Sequence, residues 1–152
     1  MAKFVFELQE VLDFRNFEQE QAQIELGKAL AVENQINQNL AQIAQQYAVL
    51  KQDMKGEWDF NMVIIQNNHI KLLEYQKEEL LKQLAEAKLV TEEKRKILQE
   101  CMKKTTSLEK LKDQQLQDFK QQMDYEENKN LEELATVKSN YNASKKESAQ
   151  VR

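Results

Sequence analysis

The chain has 152 residues, a net charge of −4, 32% charged residues, no proline and two glycines, Gly27 and Gly56. Average usage at this length is roughly 11 glycines and 8 prolines. Folds with many turns need such residues, so sandwiches, barrels and α/β folds are excluded and long helices remain. The acidic balance argues against nucleic acid as a partner.

A seven-residue frame runs through Val5, Leu8, Leu12, Arg15, Gln19, Ala22, Leu26, Ala29, Glu33, Ile36, Leu40, Ile43, Tyr47, Leu50 and Met54. Twelve of these fifteen positions are apolar against 41% of the chain, the signature of a coiled-coil seam. It predicts a first helix over about 4–54. Gly27 lies among good helix formers and reads as an interior glycine.

A turn is expected at about 55–59. Lys51 and Lys55 suit a helix C-terminus, Gly56 suits the left-handed residue that ends it, and Asp59 can cap the next helix. Trp58 and Phe60 at this tip either cover the turn or offer a contact point.

The second helix is predicted over about 60–138. Its frame is Val63, Gln66, Ile70, Leu73, Lys77, Leu80, Leu84, Ala87, Thr91, Lys94, Leu98, Cys101, Thr105 and Leu108, with nine of fourteen apolar. Folding at Gly56 makes an antiparallel hairpin in which Leu50 meets Val63, Ile43 meets Ile70, Leu40 meets Leu73, Leu12 meets Cys101 and Val5 meets Leu108. In this register Lys94 falls opposite Gln19, between Glu18 and Glu20, and Lys77 lays its stem opposite Ile36. The fold class is all-α: two long helices in one antiparallel coiled-coil domain, the second longer and overhanging.

The overhang is acidic. Residues 113–137 carry seven acids and two lysines, whereas 88–112 carry eight bases and four acids. Its apolar residues, Leu111, Leu116, Phe119, Met123, Leu131 and Leu134, are sparse, and the polar run from Ser139 to Ser144 predicts a frayed tail over 139–152.

Chemistry is absent from the pattern. His69, the one histidine, sits beside a seam position, and Cys101 falls on the seam as a small buried hydrophobe that has no disulfide partner within the chain. No clustered ligands, phosphate loop, nucleophile–base pair or apolar run of membrane-spanning length occurs, so no cofactor, no metal and no enzymatic activity are expected. No apolar leader is read at the start either. The bases Lys94 to Lys96 and Lys103–Lys104 either pair with acids across the seam or bind an acidic partner.

The opening Lys3-Phe4-Val5-Phe6-Glu7-Leu8-Gln9-Glu10-Val11-Leu12-Asp13 resembles the start of the FliJ family of the bacterial flagellar type III export apparatus. The segment Lys129-Asn130-Leu131-Glu132-Glu133-Leu134-Ala135 is similar to a second motif of that family, with Glu132 where Asp is usual. The resemblance implies a coiled-coil hairpin like the central stalk of rotary ATPases, whose helical ends dock in the hexameric export ATPase. It also implies contact with the linker and cytoplasmic domain of the export gate, and escort of export chaperones.

On that model Phe4, Phe6, Phe14, Phe17, Phe119, Met123, Leu131, Glu132, Glu133 and Leu134 are the ring-docking residues. Leu40, Ile43, Tyr47, His69, Leu73 and Gln76 are the gate-binding residues, although Leu40, Ile43, Tyr47 and Leu73 are also seam positions. The implied setting is the cytoplasmic face of the inner membrane, reached through partners, in flagellum assembly and hence motility and chemotaxis. The alternative is a generic scaffolding coiled coil, a homodimer included, or the stalk of a virulence-type secretion system.

Overall fold

The computed structural model describes residues 2–53, 56 and 59–150. They form two helices, α1 (Gln9–Asp53) and α2 (Phe60–Gln150), with no strand among them. The chain divides into two compact units, residues 13–105 and residues 1–12 with 106–152.

In the unit 13–105 the helices run antiparallel. The Gln66 side-chain amide donates to the Leu50 carbonyl at 3.2 Å, and the Thr105 hydroxyl lies 3.4 Å from the Arg15 carbonyl. The expected frames do face each other. Ala22, Ala29 and Ile36 are buried on α1, as are Gln66, Leu73, Thr91 and Thr105 on α2; Leu12, of the other unit, is buried as well. Several of these side chains are small, and the polar ones find partners. Thr91 bonds the Ala87 carbonyl at 3.0 Å, and the single Thr105 proton is shared between the carbonyls of Cys101, at 3.0 Å, and Arg15.

The register differs from the expected one. Thr105 stands at Arg15 one heptad beyond Leu98, and Leu50 is met by Gln66 rather than Val63. Cys101, expected at Leu12, shares a groove with Phe17 and Ala22. Lys77, expected at Ile36, is exposed and shares a groove with Leu40 and Tyr47. A heptad stripe fixes which face turns inward, but sliding one helix by three, four or seven residues keeps stripe on stripe. Only the charges around Lys94 spoke for one rung, and exposed ion pairs are worth ~0–1 kcal/mol. Arg15 instead pairs with Glu18 of its own helix at 2.9 Å, as do Lys28 with Glu25 and Lys82 with Glu79 at 3.3 and 3.6 Å.

Helix boundaries have local causes. Glu10 in the first turn and Lys51 in the last oppose the α1 dipole, and the Lys51 ammonium lies 4.8 Å above the Tyr47 ring. The Asp59 carboxylate accepts the Met62 amide at 2.9 Å, and its carbonyl accepts the Val63 amide at 3.2 Å, so Asp59 is the N-cap of α2. Gly56 forms a bend between the helices. The left-handed conformation expected of Gly56 turns on Lys55 and Glu57, which lie outside the described residues, as do Met54 and Trp58.

Gly27 is an interior, exposed helix residue, and a Cβ built there would meet nothing within 4 Å. Gly27→Ala should therefore raise stability by roughly 0.5–1 kcal/mol. Denaturant titration checks this, and an unchanged midpoint would contradict it.

In the second unit, residues 2–8 are not helical, which corrects the expected start of α1 near residue 4. The reason is written in the alternation Lys3-Phe4-Val5-Phe6-Glu7. A chain of period two places Phe4 and Phe6 on one face and Val5 on the other. Phe6 is 6% exposed and Val5, expected on the seam, is 74% exposed. Phe4 packs its ring 5.6 Å from that of Phe119 at 52°. The Phe6 carbonyl accepts the Gln9 amide at 3.1 Å, and the Lys112 ammonium reaches the Gln9 side-chain oxygen at 2.8 Å.

Beyond Val137, where fraying was expected, α2 continues to Gln150. The Ser144 and Ser148 hydroxyls bond the carbonyls of Tyr141 and Lys145, each at 3.0 Å, within the helix. No glycine or proline follows Gly56 to interrupt the ladder.

Candidate functional site

Four of the six gate-binding candidates meet. Leu40, Ile43 and Tyr47, spaced three and four apart on α1, line a groove with Leu73 of α2, between Ala44, Lys77 and Leu81. Leu73 is the floor at 2% exposed, and the three α1 side chains are half-buried walls. His69 is exposed in a separate shallow groove with Gln42, Gln45 and Val49. Gln76, also exposed, lies in a third with Asn39, Ile43 and Tyr75. The six therefore occupy one stretch of the unit but divide among three grooves, two of which share Ile43.

This stretch is uncharged on one helix. From Asn34 to Leu50 there is no Asp, Glu, Lys or Arg, and from Phe60 to Ile70 there is none either. Phe60 is 78% exposed, and Met62, Ile64 and Ile65 beside it are exposed as well. The open alternative for Phe60 is thereby decided in favour of an exposed aromatic. The Met62, Ile64 and Ile65 surface was not singled out by the frame. Its signal was apolar residues at positions the seam does not use.

Of the docking candidates, Phe14 and Phe17 are exposed and line a groove with Ala22, Lys94, Ile97 and Cys101. Glu18, Glu25, Glu100 and Lys104 complete its wall, and the Arg15 guanidinium stands 6.0 Å from the Phe14 ring. Cys101 is a half-buried free thiol.

Phe4 and Phe119 are brought together in the other unit, with Phe6 buried and Met123 half-buried. Leu131, Glu132, Glu133 and Leu134 are all exposed. Every residue from Asp124 to Gln150 is exposed, a span of about 40 Å of helix.

Among the described residues no three His, Cys, Asp or Glu side chains gather as a metal site requires, and no helix is long and apolar enough to cross a membrane. The surfaces can bind through apolar contact and charge, and nothing among them assembles a nucleophile with a base.

The family model described as flagellar FliJ protein matches residues 4–144, nearly the whole chain. No curated relative and no solved structure matches it significantly.

Proposed function

This chain belongs to the flagellar FliJ protein family, which implies a role in flagellar export, and we propose that it serves there as the non-enzymatic central-stalk component. In this reading it links the hexameric export ATPase to the export gate and escorts export chaperones at the cytoplasmic face of the membrane. Flagellum assembly, and with it motility and chemotaxis, depends on that link.

The observation that carries the reading is the combination of a family match over residues 4–144 with a helical hairpin whose α2 is uncovered beyond Met123. A ring with an axial hole needs a slender end to receive. The exposed Leu131, Glu132, Glu133 and Leu134 supply contact there, with Phe14 and Phe17 as further contacts. Phe4, Phe6 and Phe119 support the docking end from within, because their rings are turned toward their own chain. For the gate, exposed His69 and Gln76 and the rims of Leu40, Ile43 and Tyr47 are available, while Leu73 acts by holding the groove.

The test is a chain ending at Met123. It keeps Leu116, Phe119 and Met123 and so preserves the cover of the N-terminal segment. Its circular dichroism per residue should remain helical, and binding to the purified export ATPase should fall at least about tenfold, the share a central contact carries in an interface. Undiminished binding and stimulation of the ATPase by the shortened chain would sink the assignment.

A further inference from the structure

The segment from Asp124 to Gln150 is helical although nothing on this chain holds it. All its residues are exposed and none of them makes a side-chain ion pair. Its side-chain hydrogen bonds are local, from Thr136, Ser144 and Ser148 to carbonyls of the preceding turn. An isolated helix of this length without packing is marginal in water. Two features of the segment say what covers it.

The first is continuity. The half-buried stripe Leu108, Lys112, Leu116, Phe119 and Met123 steps by three and four. The same stepping continues through Glu127, Asn130, Leu134, Val137, Tyr141 and Ser144. Leu134, Val137 and Tyr141 are 65–66% exposed, so the seam persists in sequence after its cover ends.

The second is charge order. Asp124 to Val137 holds five acids and one base, and Lys138 to Gln150 holds three bases and one acid. Laid antiparallel about Val137, two such segments put each acidic half on a basic half, Val137 on its own copy, and Leu134 within one residue of Tyr141. Laid parallel they put acid on acid at Glu132 and Glu133. Self-complementarity about a two-fold axis is what an isologous dimer requires.

We propose that residues 124–150 pair antiparallel with the same segment of a second copy of this chain, centred on Val137. Three apolar rungs make a weak, reversible contact, with a Kd on the order of 0.1 mM. The proposal does not rest on the docking of this segment to the ATPase, and its test contains no ATPase.

Sedimentation equilibrium of the full chain should show a monomer–dimer equilibrium that weakens severalfold at high salt, as screening removes the acid–base attraction. Leu134→Asp should raise the Kd at least about tenfold, whereas Tyr125→Ser, off the stripe, should leave it unchanged. In a Cys101→Ala background, mixing Leu134→Cys with Tyr141→Cys chains should give the mixed disulfide in preference to either homodimer. A monomer at millimolar concentration, a dimer indifferent to Leu134→Asp, or homodimeric cross-linking of Leu134→Cys alone would each overturn the proposal.

Discussion

Leu73→Ala should lower the stability of the hairpin by about 2–4 kcal/mol. Leu73 is 2% exposed and forms the floor beneath Leu40, Ile43 and Tyr47. Truncation removes both the transfer free energy of the side chain and the contacts of the wall residues around it. Backbone hydrogen bonding keeps each helix from collapsing into the space, which puts the cost above the transfer term alone. Leu72→Ala is the control: its neighbour's side chain is 52% exposed and should cost no more than about 0.5 kcal/mol. Urea titration followed at 222 nm separates the two. Equal midpoints would mean that the seam does not run where Leu73 places it. The comparison also fixes what a loss of gate binding in Leu73→Ala would mean, since a side chain without exposed surface influences a partner only through the groove it supports.

Phe6→Ala should release residues 2–8 from α2 at a cost of up to about 3 kcal/mol, with little change in helical signal. Phe6 is buried, yet it lies in a non-helical segment whose other recorded anchor is the Phe4 ring on Phe119. The cost is capped by the docking free energy of that segment, because the chain can detach locally instead of carrying a cavity. Amide exchange is the measurement. Protection at Gln9, whose amide is bonded to the Phe6 carbonyl, should collapse, while amides in the middle of α1 keep theirs. Uniform loss of protection along α1 would show that the segment and the helix unfold as one. Val5→Ala, at an exposed side chain, should change neither quantity.

How far the sequence reached is clearest at these two residues. The heptad frame placed Leu73, Ile36, Ala29 and Leu12 on the seam, and they are buried, because burial on a helix follows the 3–4 spacing directly. Asp59 was legible as a cap for an equally local reason: its carboxylate needs to reach only three residues along. The rung on which the helices meet was not legible. Stepping one helix by three, four or seven residues keeps the apolar stripe facing inward, and the side-chain contacts that fix the rung, Gln66 to Leu50 and Thr105 to Arg15, come from polar residues that the frame counts as exceptions.

Phe6 was misread through competition between two periods. Val5, Leu8 and Leu12 extend the helical frame backwards, yet Phe4 and Phe6 answer to a period of two, and two phenylalanines bury more apolar surface than one valine. The tail was misread through composition. Serines and asparagines signal an end when a helix has somewhere to turn, but here no breaker follows, and the hydroxyls fold back onto carbonyls of their own helix. Among the interaction candidates, type and face were readable and exposure was not. Phe4, Phe6, Phe14 and Phe17 look alike in sequence and divide two and two between inward and outward in the structure.

The narrow seam of Ala22, Ala29, Thr91 and Thr105 has a consequence for how this protein comes apart. A globular core ties each side chain to neighbours in three dimensions, so removing one weakens many. A line of rungs ties each rung only to the next, as in repeat proteins. Damage then stays near where it is done, opening proceeds like a zip from a free end, and total stability grows with the number of rungs. Such a molecule can lose order at one extremity, where a partner engages it, while the far rungs remain closed.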